Sequence, residues 1–279
     1  MDSVLFIGGG KMMQAIAGGL IARGLAPSHI FAVEPDPTAI TLLQSKGVTV
    51  FSDGRAAIPA LTRVGAVVLA VKPQMMQDAL TPFSGKITDQ LVLSIAAGVR
   101  VSSLIRWLDA DGGYADRAQI VRAMPNTPAL IGAGISGLYA APTLSARARQ
   151  HAETLLAAVG RVAWFDDESM LDAVTAVSGS GPAYVFYFIE ALEQAAQEMG
   201  FSPDMARLFA LETFRGAALL ASQSDDPPAT LRANVTSRNG TTESAIAAFD
   251  HHALKSLFVT GVKAAQARAN ALGAEVSKG

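Results

Sequence analysis

Short apolar runs alternate with stretches of helical periodicity through residue 163. The strand candidates are residues 4–7, 30–33, 66–70, 91–94, 120–124 and 161–164, and helical spacing is clear at 12–23, 37–46 and 75–83. Strands separated by single helices are typical of a parallel, doubly wound sheet. This pattern predicts an N-terminal Rossmann-like α/β domain over residues 1–163, with ligands bound at the carboxyl ends of its strands.

The pattern becomes helical after Asp167. Prolines at 182, 203 and 227 mark helix starts. The stretch 182–199 is apolar around most of its circumference, so that helix must be covered by its own domain or by another subunit. Both alternatives stay open from the pattern alone. The sequence predicts an all-α C-terminal domain over residues 164–279.

Composition limits the classes of partner. Half of the 279 residues are hydrophobic, 16% are charged, and the net charge of −2 leaves no basic surface for nucleic acid or anionic membrane. No apolar run reaches the ~20 residues of a membrane span. Cysteine is absent, which removes disulfides and cysteine metal ligands. We expect a cytoplasmic protein without a metal site, whose partners are small molecules or copies of itself.

The first strand runs into Gly8-Gly9-Gly10-Lys11-Met12 and then into a helix. Gly8 would make the tight turn, and Gly10 would let a pyrophosphate approach the backbone at the helix start. Met13 stands where the usual third glycine would be. Glu34, at the end of the second apolar run, is placed to accept a hydrogen bond from an adenosine ribose. The pattern favours a dinucleotide site over a ligand-free α/β domain.

Two further loops follow predicted strands with small residues that would let a ring or phosphate come close to backbone. They are Ala70-Val71-Lys72-Pro73 and Ser94-Ile95-Ala96-Ala97-Gly98. For Lys72 taken singly, an ordinary surface lysine is the favoured interpretation.

Two small-residue motifs lie in the helical half. Gly240-Thr241-Thr242 opens a helix, where free backbone N–H groups can capture a carboxylate; the alternative is a capped turn between two helices. Ser178-Gly179-Ser180 would bring a helix start close to substrate, or would only let two helices cross tightly.

These motifs together resemble one family in order and spacing over almost the whole chain. GGGKMMQAI, AVKPQ, SIAAG, RAMPNTP, SGSGPAYVF and NVTSRNGTTESAIAAF look like pyrroline-5-carboxylate reductase. The resemblance implies reduction of 1-pyrroline-5-carboxylate to proline with NADPH or NADH, in an intertwined homodimer or a ring of dimers. Arg238-Asn239 replaces the common Pro-Gly of that family, and Met13 its usual Ala.

The resemblance also implies residue roles. Glu168 and Asn234 join the cofactor contacts. The substrate contacts are Ser178, Gly179, Ser180, Ser237, Gly240, Thr241 and Thr242. The carboxylate would rest on the N–H groups of Thr241 and Thr242, and the Thr242 hydroxyl would bond the imine nitrogen as the catalytic residue. The four histidines are predicted to be bystanders.

Other classes are less favoured by the sequence. A β-hydroxyacid dehydrogenase or an imine reductase would use a catalytic lysine or acid that the motifs do not supply. A non-catalytic nucleotide sensor would have no reason to keep Gly240-Thr241-Thr242, and a purely structural protein would need neither site.

Overall fold

The computed structural model describes residues 2–277. Within this range the strands are β1 Ser3–Ile7, β2 Ile30–Val33, β3 Thr49–Phe51, β4 Val64–Leu69, β5 Leu91–Ser94, β6 Ile120–Met124, β7 Gly134–Ala140 and β8 Gly160–Trp164. The α-helices are α1 Lys11–Ala22, α2 Pro37–Ser45, α3 Gly54–Ala57, α4 Met76–Leu80, α5 Val101–Leu108, α6 Ala146–Ala157, α7 Met170–Val174, α8 Gly181–Glu198, α9 Pro203–Gln223, α10 Pro228–Asn234, α11 Thr241–His251 and α12 Leu254–Ser277.

The strands form one sheet in the order β3-β2-β1-β4-β5-β6-β7-β8. Every neighbouring pair is parallel except β6 and β7, which run antiparallel with Val121 opposite Ala140. The predicted fold class, a Rossmann-like parallel sheet followed by helices, is confirmed. The antiparallel pair and the strands β3 and β7 are additions that the apolar pattern did not predict.

The core lies on both faces of the sheet. Along β1, Val4 and Phe6 belong to the buried cluster on the α1 face of the sheet, whereas Leu5 and Ile7 belong to the cluster with Met76 of α4 on the other face. Burial on both faces explains why β1, β2 and β5 are almost continuously apolar. Because strands β1 to β6 are parallel, their carboxyl ends lie at one edge of the sheet, where the loops that carry the predicted cofactor residues begin.

The chain divides into two compact units. The first contains residues up to 180 together with those from 265 onward, and the second contains residues 181–264. In the second unit, α8 has no buried residue, and Val185, Phe186 and Tyr187 are 46%, 59% and 68% exposed. Within the described chain, then, the apolar circumference predicted for this helix is covered only in part, since Tyr184 and Phe188 pack against Phe258 while these three side chains stay exposed. That outcome favours the subunit alternative.

No helix among residues 2–277 combines the length and apolar character needed to cross a bilayer.

Candidate active site

The glycine turn after β1 is shaped for close approach to a ligand. Gly8 has φ +103°, and a Cβ there would lie 2.7 Å from the carbonyl oxygen of Ala70. Only glycine fits this position without strain. Gly10 precedes α1 with an extended backbone and no side-chain cap, and the space around its Cα is open. The first N–H groups of α1 are consequently available to an anion such as a pyrophosphate.

Glu34 closes this turn from the end of β2. Its Oε2 accepts a hydrogen bond from the Gly9 N–H at 2.7 Å, and its Oε1 accepts one from the Asp36 N–H at 2.9 Å. The carboxylate therefore organises the turn, in addition to the ribose contact expected from sequence. Its negative charge stands beside the predicted pyrophosphate position.

A cavity of about 480 Å³ opens at the carboxyl ends of β1, β2 and β4. Of the predicted cofactor residues, Gly8, Gly9, Gly10, Glu34, Ala70, Val71 and Lys72 line it. Ser52 and Asp53 also line it and were not among the predicted residues. They follow β3, and recognising that short strand would have brought its carboxyl end to the same edge. The cavity carries three acids, Glu34, Asp53 and Asp78, against one lysine.

Other predicted cofactor residues surround this edge. Lys11 opens α1 and is exposed, Met12 is half-buried, and Pro73 begins the turn before α4. The loop after β5 places Ala96 in the core, with Ala97 half-buried beside it. Gly98 has φ +77°, and a Cβ there would lie 3.1 Å from the Cα of Gly273 in the C-terminal helix.

Glu168 lies in a cluster of four charged side chains, Arg100, Arg122, Glu168 and Asp172, here called the charge cluster. Glu168 Oε1 accepts from Arg122 Nη1 and from the Val101 N–H, both at 2.8 Å. Arg100 Nη2 donates to Asp172 Oδ2 at 2.5 Å, and its Nη1 to the Glu168 carbonyl at 3.4 Å. Burial lowers the pKa of the Arg122 guanidinium, and the Glu168 hydrogen bond opposes that shift. Glu168 thus has internal partners alongside the cofactor contact predicted for it.

Ser178, Gly179 and Ser180 occur at a π-helical turn, Thr175–Gly179, that follows α7. The Ser180 N–H donates to the Thr175 carbonyl at 2.8 Å, and Ser178 Oγ to the Val174 carbonyl at 3.1 Å. A Cβ on Gly179 would lie 2.6 Å from Met124 Cε at the end of β6. A side chain at position 179 would require the end of the Met124 side chain to move, and π-helical turns are frequent at functional sites.

The second unit holds the predicted substrate loop. Asn234 ends α10, and Gly240 precedes α11 without a side-chain cap, which leaves the N–H groups of the first turn open to an anion. Thr242 is half-buried, and Ser237 Oγ would lie 2.5 Å from a Cβ on Gly240. The structure brings Ser237, Gly240, Thr241 and Thr242 together in one turn.

The departure at Arg238-Asn239 is compatible with this loop. Asn239 has φ +58°, and its N–H donates to Glu243 Oε2 at 2.6 Å. Asparagine tolerates the left-handed region better than most residues, so it can replace a glycine there. The other departure, Met13, lies on α1 and is fully buried in the core between that helix and the sheet.

The four histidines have the following local surroundings. His29 shares a 3.0 Å hydrogen bond with Ser3 Oγ, and His251 and His252 are exposed. His151 Nε2 is buried, and no hydrogen-bond partner is found for it among residues 2–277. No group of three or more His, Asp or Glu side chains suited to a metal occurs in the same range.

A glycine turn and an open helix start beside a cavity at the carboxyl edge of a parallel sheet define a dinucleotide-binding protein of the Rossmann-like class. Family comparisons agree. Residues 3–98 match the family described as NADP oxidoreductase coenzyme F420-dependent, and residues 168–272 match pyrroline-5-carboxylate reductase dimerisation.

Relatives extend the similarity over the full chain. The pyrroline-5-carboxylate reductase of Pseudomonas aeruginosa is 40% identical over 278 residues, which cover 99% of this chain and 98% of the relative. That of Vibrio alginolyticus is 40% identical over 95% of this chain and 96% of the relative. The chain therefore belongs to the pyrroline-5-carboxylate reductase family, as its motifs predicted. It is an NAD(P)H-dependent oxidoreductase with a homo-oligomeric assembly.

Solved structures are similar as well. A pyrroline-5-carboxylate reductase from Coxiella burnetii aligns with a TM-score of 0.88 at 37% identity, covering 97% of this chain and 98% of that one. A Plasmodium falciparum pyrroline carboxylate reductase with NADP bound aligns at 0.83 and 25% identity, covering 98% of both chains. An imine reductase from Bacillus cereus shares the fold alone, at 16% identity and a TM-score of 0.51 over 80% of this chain and 75% of that one.

Proposed function

We propose that the protein reduces 1-pyrroline-5-carboxylate to L-proline with NADPH or NADH, the last step of proline biosynthesis. The observation that carries this proposal is the Gly8 turn, whose backbone approaches Ala70 closely and opens onto a cavity at the start of α1. Membership in the reductase family gives the substrate class.

Residues 1–163 are assigned to the dinucleotide, and residues 164–279 to substrate binding and dimerisation. The pyrophosphate would rest on Gly8, Gly9, Gly10, Lys11 and Met12. Glu34 would face the adenosine ribose. The other cofactor contacts would be Ala70, Val71, Lys72, Pro73, Ala96, Ala97, Gly98, Glu168 and Asn234. This assignment follows from the carboxyl-edge geometry of the sheet and from the motifs.

The substrate carboxylate would be held by the first N–H groups of α11. Gly240 leaves these groups without a side-chain cap, and the positive end of the helix dipole favours a negative charge there. Ser237 and Gly240 shape the turn. Ser178, Gly179 and Ser180 complete the predicted substrate contacts.

The chemistry requires little of the protein beyond orientation. The reduced nicotinamide supplies a hydride when bound; the imine carbon accepts it, and the ring nitrogen carries the proton. Thr242 Oγ is assigned to that nitrogen, where it would orient the protonated imine. The residues assigned to the substrate offer only hydroxyl and backbone groups and no acidic side chain, so we assign this proton to solvent. Holding two reactants in line is worth several kcal/mol, about 7 to 11 in good intramolecular models.

The proposed assembly is an intertwined homodimer that can associate further into a ring of dimers, working in the cytoplasm. The uncovered apolar surface of α8 supports the dimer. The matched dimerisation family over residues 168–272 supports it independently.

The direct test is oxidation of NADH and of NADPH in the presence of pyrroline-5-carboxylate, with proline measured as product. Gly8→Ala should abolish cofactor binding, because its Cβ would meet the Ala70 carbonyl. Gly24→Ala is the matched control, since Gly24 also has a positive φ, +94°, but has nothing within 4 Å of its Cβ position. Folded wild-type protein that turns over with neither cofactor would contradict the proposal.

A further inference from the structure

The charge cluster joins two segments that carry predicted reactant contacts. Arg100 directly follows the loop that contains Ala96, Ala97 and Gly98. Asp172 lies on α7, which leads into the π-helical turn with Ser178 and Gly179. The 2.5 Å contact between Arg100 and Asp172 is therefore a direct link between these segments.

The other pair of the charge cluster, Arg122 and Glu168, adds contacts from strand β6 of the sheet. Arg122 lies on β6 opposite Ser94, the last residue of β5, and its side chain is 3% exposed. It holds Glu168, which also accepts from the N–H of Val101 at the start of α5. The same β6 strand ends at Met124, against which Gly179 packs. Strand β6 thus contacts the 178–180 turn directly at Met124, and through Glu168 it is linked to Val101, the residue after Arg100.

Stability alone does not account for such a cluster. Asp172 and Arg122 are each 2% exposed, and buried ion pairs are often no more stabilising than apolar residues of similar volume. Their directional bonds do fix geometry, because each charge accepts only a narrow range of partner positions. Because the cluster lies between two segments that carry predicted contacts, its fixed geometry can set the position of one segment relative to the other.

We propose that the Arg100–Asp172 pair is a positioning device that sets the 96–98 loop relative to the 178–180 turn, and thereby controls the rate of hydride transfer. Neither residue is assigned a contact with cofactor or substrate. This inference rests on the proposed function, since it concerns the same reaction.

The experiment compares the full-length wild type with Arg100→Gln, Asp172→Asn and the double variant. The readouts are kcat, KM for pyrroline-5-carboxylate, Kd for NADH, and the kinetic isotope effect with NADH deuterated at the transferred position. We expect kcat to fall about tenfold or more in each single variant, because small misplacements of reactants are costly. Kd and KM should stay within about threefold of wild type, and the isotope effect should increase as hydride transfer becomes limiting.

The double variant separates a joint device from two independent roles. If the two residues act as one unit, its kcat should be no lower than that of the more damaged single variant. Arg147→Gln is the matched control, because Arg147 forms an exposed 3.4 Å pair with Asp2 and its side chain is 88% exposed. Its kcat should equal that of wild type.

Several outcomes would overturn the inference. They are unchanged kcat in folded variants, additive losses in the double variant, or a rise in the Kd for NADH as large as the fall in kcat. If the neutral variants do not fold, Arg100→Lys is the substitute, because it keeps the positive charge on a side chain that is 25% exposed. A wild-type kcat in Arg100→Lys would also overturn the inference. Absence of turnover by the wild type would instead contradict the proposed function.

Discussion

Replacing Glu34 by Gln should shift the choice of cofactor toward NADPH. The change keeps a side-chain oxygen that can accept from the Gly9 N–H, as Oε2 now does at 2.7 Å. It removes the negative charge that faces the proposed ribose position. In the wild type, we expect the carboxylate to accept a hydrogen bond from a ribose hydroxyl and to repel a 2′-phosphate, so NADH should be a competent donor.

The size of the effect follows from Coulomb's law. Two unit charges roughly 5 Å apart repel by about 0.8 kcal/mol in bulk water and about 3 kcal/mol at an effective dielectric constant of 20. Glu34 is only half-buried at the edge of an open cavity, so the lower part of this range applies. With a phosphate of up to two charges, the ratio of kcat/KM for NADPH over NADH should rise by about one decade.

The assay measures kcat/KM for both cofactors at saturating pyrroline-5-carboxylate and at two salt concentrations, because screening should reduce the difference. Asp78→Asn is the control, since it removes an equal charge from the exposed rim of the same cavity. We expect a smaller shift there. An unchanged ratio in Glu34→Gln, or a wild-type preference for NADPH of about a hundredfold or more, would refute this placement of Glu34.

Three other predictions can be checked separately. Thr242→Ala should lower kcat/KM by about one to two decades with little change in Kd for NADH, because a hydrogen bond to a charged partner is worth about 1.5 to 3 kcal/mol. Thr241→Ala should have a milder effect on kcat/KM. Full activity in Thr242→Ala would contradict the assigned hydrogen bond between the Thr242 hydroxyl and the imine nitrogen. The unfolding midpoint should rise with protein concentration, since Val185, Phe186 and Tyr187 of α8 are exposed in the single chain. An active monomer at micromolar concentration would argue against this. Burial lowers the pKa of the His151 imidazole below 6.5, so as pH falls the unfolded chain takes up a proton at this residue before the folded protein does. The wild type should therefore lose more stability than His151→Gln as pH falls below about 6.5. Equal losses of stability in the melting curves of the two proteins would disprove this.

Much of the fold could be predicted because burial on both faces makes central parallel strands visible as apolar runs. The strands β1, β2, β5 and β6 follow this rule. β3 has only three residues, and β7 contains two glycines in GISGLYA, which weaken its strand signal. The antiparallel pairing of β7 could not be predicted, because direction depends on the connection and not on composition.

The site was predictable where its residues are adjacent in sequence. The turns at Gly8 and Gly240 each depend on a few consecutive residues, and their shape follows from local backbone geometry. The charge cluster was not predictable, since Arg100 and Asp172 are separated by 72 residues and meet only after the sheet has formed. Charged residues read singly are assigned to the surface, and only the fold shows that Arg122 is buried.

The contact between Gly98 and Gly273 has a consequence for how this sequence can evolve. The C-terminal helix lies against a loop residue in the left-handed region, with 3.1 Å between a Cβ on Gly98 and the Cα of Gly273. A side chain at either position requires the other segment to shift by a few tenths of an ångström, so we expect the two sites to vary together among descendants of this gene. In a mutational library, fitness at position 273 should depend on the residue at position 98, although the positions lie in opposite halves of the chain.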